Sequence, residues 1–375
     1  MKKVLFIATV VSHIKFFHIP YLRYFKEKGY EVHVACFGNE HIEYCDKHFN
    51  IHFERFPFKK ENIVAYKELK RIMKENAYDI IHCHTPVGGV LGRLAAKETR
   101  KKNNTKVLYT AHGFQFYKGG PLMDWLLYYP VEKFMCKYTD CLITMNNEDY
   151  NLAKNKFKAI KVIYVHGIGL DNYSLDIPVT EEEKEKYRKD IGIDKDSIVL
   201  SFIGEYRQLK RQSFLIDVVK QLVNDNIKVC LLLIGDGGYK DIYKKQIEDN
   251  KLSKYVKLLG FRTDKVPLLS ITDIYVSASA REGLPVNIME AMYVGVPIVS
   301  VHARGTEDLI INNENGILVD YNIDSFVNKV KELIKAKDKC NIFVQKSKEV
   351  LKPFLIDNVR KEMNSIYQDE IRKGK

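Results

Sequence analysis

Apolar residues in the first half of this 375-residue chain fall in short β-branched runs separated by stretches of helical period. VLFIATV (Val4 to Val10) precedes a helix-like segment around Phe17 to Gly29. EVHVACF (Glu31 to Phe37), a helix over Ile63 to Glu75 and DIIHCH (Asp79 to His84) follow. Runs at Val107 to Thr110, Cys141 to Met145 and Ile160 to Val165 continue the series, with a helix over Leu122 to Tyr138 among those between. Alternating strands and helices of this length predict a parallel sheet built from βαβ units. Between Gly169 and Asp196 the apolar period gives way to polar sequence, and TEEEKEKYRKD reads as a short solvated helix. The rhythm restarts with SIVLSFIG (Ser197 to Gly204), a helix over Gln212 to Asn224, and KVCLLLIGDG (Lys228 to Gly237). Strands are predicted again at Tyr255 to Phe261, Asp273 to Ser279, Pro297 to Ser300 and Gly316 to Val319. Phe326 to Tyr367 is helical by period but interrupted by Pro353, which leaves a last amphipathic helix able to pack back on the first domain. The expected division is a first domain over 1–175, a polar junction over 176–196, a second domain over 197–352 and a closing helix over 353–375.

Composition supports two folded α/β domains: 46% of residues are hydrophobic and 29% charged, which excludes disorder and repeats of collagen type. The apolar run after Met1-Lys2-Lys3 is interrupted at Ser12-His13, and no stretch nears the eighteen or so apolar residues of a membrane span. A cytoplasmic protein is expected. Seven cysteines with no CxxC pair read as reduced thiols. The formal charge of +12 suits an anionic partner. Its lysine clusters are not interleaved with stacking aromatics, so nucleic acid is not expected.

Ligands of open parallel sheets collect beyond the carboxyl ends of the strands. Candidate loops at such ends are Gly204 to Lys210, Gly235-Asp236-Gly237-Gly238, Ser279 to Pro285 and Gly305-Thr306. Arg207 and Lys210 follow a strand directly and either form a solvated turn or reach a diphosphate. Glu282 lies in a loop and Glu290 inside the helix that begins near Pro285. The first suits sugar hydroxyls or a helix N-terminal charge, the second the hydroxyls of a ribose. His112 follows VLYTA and is either a capping residue or a hydrogen-bond donor to substrate. His84 is a candidate for lining the site, and His82, on the same side of its strand, for packing. No third ligand near them in sequence argues for zinc. Asp194-Lys195-Asp196 precedes its strand and reads as a turn, and Gly235-Asp236-Gly237-Gly238 lacks the spacing of a dinucleotide fingerprint.

EGLPVNIMEAMYVGVPIVS (Glu282 to Ser300) resembles the E-x7-E signature of the retaining glycosyltransferases of family 4, which have the two-domain GT-B fold with a central cleft. FIGEYRQLKRQ, TAHGF, HARGTEDLI and NGILV extend the resemblance over nearly the whole chain. ATVVSHIKFFHIPYLRYFKEKGYEVHVA and HTPVGGVLGRLAA are similar to bacterial capsular and exopolysaccharide members that extend lipid-linked glycans. The resemblance implies transfer of a hexose or N-acetylhexosamine from a UDP-sugar to a glycan acceptor, with no cofactor and no metal. It assigns Lys210 and a neighbouring arginine, Arg207, to the donor diphosphate. Glu282, with Gly283, Leu284 and Pro285, goes to the donor hexose, Glu290 to the ribose and His112 to the reaction centre. Ser12, His13, His84 and His112 are the acceptor-side candidates. Two departures stand out: Glu205 follows Gly204 where many relatives have arginine, and Val10-Val11-Ser12-His13 replaces a glycine pair. A nucleotide-sugar epimerase and a noncatalytic nucleotide-sugar or membrane-surface binding protein are the alternatives. Pro121 to Tyr129, with Lys118, Lys133, Lys137 and the basic run Lys97 to Lys106, is expected either to touch an anionic membrane or to bury Trp125 in the core.

Overall fold

The β-branched runs form two wholly parallel sheets in a computed structural model that describes residues 1–54, 56 and 59–373. The first sheet contains β1 (Lys3–Val10), β2 (Glu31–Phe37), β3 (Lys47–Asn50), β4 (Ile80–His84), β5 (Lys106–Ala111), β6 (Cys141–Thr144) and β7 (Lys161–Tyr164). Its spatial order is β3-β2-β1-β4-β5-β6-β7. The second contains β8 (Ile198–Ile203), β9 (Val229–Ile234), β10 (Val256–Gly260), β11 (Ile274–Ser277), β12 (Ile298–Val301) and β13 (Ile317–Val319), in the order β10-β9-β8-β11-β12-β13. Both are doubly wound, Rossmann-like sheets. In each, the winding reverses beside the first strand, between β1 and β4 and between β8 and β11, and the crevice at such a reversal is where open sheets hold ligands.

Contacts divide the chain into one unit of 1–169 plus 356–375 and another of 170–355. Helices cover both faces of each sheet, so central strands such as β9 (VCLLLI) are buried along their whole length. The helix Ile356–Lys373 belongs to the first unit, where Val359, Met363, Ile366 and Tyr367 enter the core beside Phe25 and Val34. Residues 374 and 375, the end of the expected closing helix, lie outside the described residues.

Three local details differ from the sequence reading. The helix expected around Phe17 to Gly29 is two helices, Val11–Phe17 and Ile19–Glu27, meeting at His18. Pro20 sits in the first turn of the second, where its missing N–H costs nothing. β3 (KHFN) was not expected, because a short, partly exposed edge strand carries no apolar run. The stretch after Phe326 is three helices, Ile323–Lys335, Lys337–Leu351 and Ile356–Lys373, with Pro353 in a single 3-10 turn between the last two.

Candidate active site

In the second unit, the loop leaving β8 is pinned from below. Tyr206 is fully buried and its hydroxyl donates to the Leu233 carbonyl at 2.6 Å. Gln212, also fully buried, donates to the Glu205 carbonyl at 2.8 Å and accepts from the Tyr243 hydroxyl at 2.9 Å. Gly235 follows β9 with φ +148, and a Cβ there would lie 2.0 Å from the Gly204 carbonyl oxygen. Only glycine lets these two strand ends approach so closely.

From this base the 3-10 turn Gln208–Lys210 carries Lys210 to Glu282, with Nζ 2.5 Å from Oε1. The two side chains are only 20% and 12% exposed. Ala280 N–H donates to the Leu209 carbonyl at 2.9 Å, joining the loop after β8 to the loop after β11 across the winding reversal. A third loop closes on them: Glu282 N–H donates to the Arg304 carbonyl and Arg304 Nε to the Glu282 carbonyl, both at 3.1 Å. Gly305, at φ +77, brings its backbone so near Gly283 that a Cβ would fall 2.5 Å from the Gly283 oxygen.

Gly283, Leu284 and Pro285 lead into the helix Val286–Val294, whose N-terminus has no side-chain cap. Ile288 N–H donates to Asn287 Oδ1 at 3.0 Å; the amides ahead of it are available to an anion, and the helix dipole favours one there. Asn287 Nδ2 donates to the Ile203 carbonyl at 2.6 Å, tying this helix to the end of β8. Glu290, 7% exposed, accepts from Lys265 Nζ at 2.7 Å. Arg207 stands apart: it is half exposed and its nearest carboxylate is Glu205 at 3.3 Å. Lys265 and Arg304 were not singled out from sequence, whereas Ser279 and Thr306, whose hydroxyls are buried and unpartnered, lie in two of the candidate loops. The signal for Lys265 and Arg304 is position alone, since each lies on or beside a loop that follows a strand. Asp194-Lys195-Asp196 is a turn ahead of β8.

In the first unit, β1 runs straight into the helix Val11–Phe17, which places half-buried Ser12 and His13 in its opening turn at the reversal between β1 and β4. His84 ends β4. The next residue, Thr85, holds φ +61, a costly conformation for a β-branched side chain. Its Oγ1 accepts from Thr9 N–H at 3.1 Å, lies 2.6 Å from Thr9 Oγ1 and donates to the His84 carbonyl at 2.5 Å. His112 follows β5, and its Nε2 is 3.2 Å from His13 Nε2. His18 and His84 are 3% and 1% exposed, with ring centroids 3.7 Å apart. Ligand nitrogens of His13, His18, His84 and His112 all lie within 4.8 Å of one another.

Burial pushes the imidazolium form of all four down, that of His13 to about 4, and for His18 and His84 the neighbouring histidines push further. They are neutral near pH 7. His84 thus sits beneath the site instead of lining its surface. His82 packs: its ring nitrogens lie 2.8 Å from the Tyr367 hydroxyl and 2.8 Å from Thr110 Oγ1.

On the same unit, the helix Leu122–Met135 turns Trp125 toward the core, where its ring packs against Phe116 at a 50° tilt and its N–H donates to the Tyr117 carbonyl at 3.0 Å. Leu122, Met123, Leu126, Leu127, Val131 and Phe134 are exposed. Lys118, Lys133 and Lys137 are exposed beside them.

Residues 183–350 match the model of "Glycosyl transferases group 1" and residues 3–146 that of "Glycosyl transferase 4-like". The chain is 39% identical to the putative glycosyltransferase EpsD of Bacillus subtilis, over 98% of this chain and 96% of that one. It is 30% identical to the Escherichia coli UDP-Gal:alpha-D-GlcNAc-diphosphoundecaprenol alpha-1,3-galactosyltransferase, over 71% and 70% of the two chains. Anabaena HepE, solved in complex with UDP and glucose, superposes with a TM-score of 0.79 at 19% identity, covering 98% of this chain and 100% of that one. Two doubly wound units, matched along almost their whole length by a relative at this identity, place the chain in the GT-B glycosyltransferases, with a second half of group 1 type.

Proposed function

We propose that the protein transfers a hexose or N-acetylhexosamine from a UDP-sugar to a lipid-linked glycan acceptor, with retention at the anomeric carbon, in bacterial capsular or exopolysaccharide synthesis. The observation that carries this reading is the Lys210–Glu282 pair beside the uncapped helix Val286–Val294 at the winding reversal of the second sheet. A cation and a helix N-terminus suit a diphosphate leaving group, and the carboxylates of Glu282 and Glu290 suit sugar and ribose hydroxyls. Arg207, free to swing from the surface, adds a second cation. UDP appears with HepE and a UDP-sugar in the name of the Escherichia coli relative. The diphosphoundecaprenol of that relative's name supports a lipid-linked acceptor.

In this mechanism Lys210 and the helix amides stabilise charge as the bond to the diphosphate breaks. The acceptor hydroxyl attacks from the face being vacated, and a departing phosphate oxygen takes its proton. Retention follows because entry and departure share one face, and no protein base is needed. Ser12, His13 and His112 serve the acceptor side. The two imidazoles are neutral, so each donates a hydrogen bond without adding positive charge.

The exposed apolar stripe of the helix Leu122–Met135, ringed by Lys118, Lys133 and Lys137 and joined by Lys101 and Lys102 on the same unit, supports peripheral contact with an anionic bilayer on the cytoplasmic side. Trp125, turned to the core, is not part of that contact. Sedimentation with vesicles should require anionic lipid, weaken with salt and fall in Leu126→Glu and in Lys101→Glu/Lys102→Glu. Indifference of the folded protein to anionic vesicles at low salt would end this part of the reading. The activity itself is tested by incubating UDP-sugars with isolated lipid-linked oligosaccharides and weighing the products. A product heavier by one sugar supports it. UDP-sugar isomerised without acceptor, or UDP bound with no product from any acceptor tried, would overturn it.

A further inference from the structure

The four histidines at the reversal of the first sheet come from three separate strand ends: His13 and His18 after β1, His84 at the end of β4 and His112 after β5. Burying an imidazole with its ring nitrogens unpartnered forfeits the hydrogen bonds it would make to water. Here His18 and His84 are both buried, and neither ring has a hydrogen-bond partner at Nδ1 or Nε2. Hydrogen bonds account for His82 and for the contact between His13 and His112. They do not account for the pair between them. A cavity of about 10 Å³ lies on the far side of this pair, lined by Phe17, Tyr21, His82 and Thr110 together with His18 and His84 but by neither His13 nor His112, and it brings no hydrogen-bond partner to either unmet ring.

We propose that His13, His18, His84 and His112 bind one divalent first-row transition metal, of which Zn²⁺ is the best fit. Tetrahedral Zn²⁺ with bonds of about 2.0–2.1 Å holds its ligand nitrogens about 3.3 Å apart. The His13–His112 nitrogens already stand at 3.2 Å and the remaining separations are all within 4.8 Å; binding requires the His18 and His84 rings, now 3.7 Å apart at 30°, to turn toward a common centre. An all-imidazole set selects zinc, copper or nickel over magnesium and calcium, which take oxygen ligands. Burial keeps the rings neutral, the form that ligates. The ion uses the lone pairs left unmet on His18 and His84 and ties three strand ends together in a closed, structural shell. Ligation through His112 Nε2 leaves Nδ1 protonated, so His112 can still donate a hydrogen bond to the acceptor. The site is independent of the donor site in the second unit.

The test uses the full chain, stripped with a strong chelator and titrated with Zn²⁺ against a chromophoric competitor, with metal content measured by mass spectrometry after desalting. One Zn²⁺ per chain is expected, and Co²⁺ in its place should give the intense visible bands of a tetrahedral centre. His18→Asn and His84→Gln should each weaken binding at least about 10–100-fold, as loss of a ligand or its support does. His41→Ala and His52→Ala should leave it unchanged. Circular dichroism and melting check each variant's fold, and His13→Asn, partly exposed, replaces any that does not fold. Failure to retain stoichiometric Zn²⁺, equal affinity in the His18 and His84 variants, or an octahedral Co²⁺ spectrum would each overturn the proposal.

Discussion

Lys210→Ala separates two roles that the geometry gives one ammonium. Its Nζ is 2.5 Å from Glu282 Oε1, in a setting where the partner carboxylate is 12% exposed. If the lysine only neutralised Glu282, its removal would act on stability. Orphaning a fully buried charge costs about 3–5 kcal/mol. Solvent still reaches this carboxylate, so about 1–2 kcal/mol is expected, enough to shift a urea midpoint and too little to unfold the unit. If Lys210 also meets charge developing on the leaving diphosphate, the loss lies in the transition state. Removing one such donor lowers kcat about 10²–10³-fold, or about 2.7–4 kcal/mol. Ground-state UDP affinity should fall by less, since a charge-assisted hydrogen bond contributes about 1.5–3 kcal/mol.

The assay is release of UDP at saturating donor and acceptor, with UDP affinity by calorimetry and stability by urea. A large loss of kcat, a smaller loss of affinity and a modest loss of stability is the expected pattern. Glu282→Gln provides the cross-check, because it removes the charge partner while leaving Lys210 in place. Its stability should fall, and the effect of Lys210→Ala in that background should remain large in kcat. Folded Lys210→Ala with turnover and UDP affinity within a few-fold of the parent would refute the assignment and return the lysine to a purely structural role.

Gly235→Ala should cripple donor binding and destabilise the second unit by at least about 1–3 kcal/mol, because a Cβ 2.0 Å from the Gly204 oxygen, at φ +148, forces the Lys210 loop to move. Unchanged UDP affinity by calorimetry would contradict this. Glu132→Ala should destabilise the first unit by about 3–5 kcal/mol in urea unfolding. It strands the fully buried Arg93, whose Nη2 is 2.8 Å from Glu132 and whose guanidinium lies 3.8 Å from the Tyr109 ring centroid. Turnover should not depend on added Mg²⁺ or Mn²⁺, since Lys210 and Arg207 supply the donor-side charge; activity that appears only with either ion would refute that role.

The part of the candidate site after β11 was legible as a loop and helix because its residues are close in sequence. Glu282 to Glu290 spans one loop and one helix, so residue types, spacing and local structure could be read together. What that stretch could not disclose is which cation each carboxylate meets. Glu282 pairs with Lys210 from the end of β8, and Glu290 with Lys265, which follows β10. Arg207, a candidate for the diphosphate or for a solvated turn, ends on the surface because Tyr206 beside it turns inward to fill the core. One side chain of the loop takes the interior, and alternation sends its neighbours outward.

Strand edges and helix faces show the same limit. β3 escaped notice since a partly exposed edge strand has no need of apolar residues, and its pairing with β2 depends on backbone groups that every sequence possesses. The helix Leu122–Met135 is apolar nearly all round, which fixes no orientation; the Tyr117 carbonyl decides it by taking the Trp125 N–H.

The histidine cluster was least legible of all. His82 and His84 stand on one side of one strand, and spacing along the chain offers them no third ligand. The strand order β3-β2-β1-β4-β5 places the ends of β1 and β5 on either side of β4, and this brings His13, His18 and His112 to His84. His82, two residues earlier in the same strand, meets Tyr367 from the last helix of the chain. The two histidines thus part company over a distance of two residues, one to a hydrogen-bonded core and the other to a cluster that hydrogen bonds alone leave unsatisfied. Sequence spacing is the wrong coordinate for such a site. Position relative to the reversal of the sheet is the right one, because every strand that ends there contributes its next residues to the same small volume.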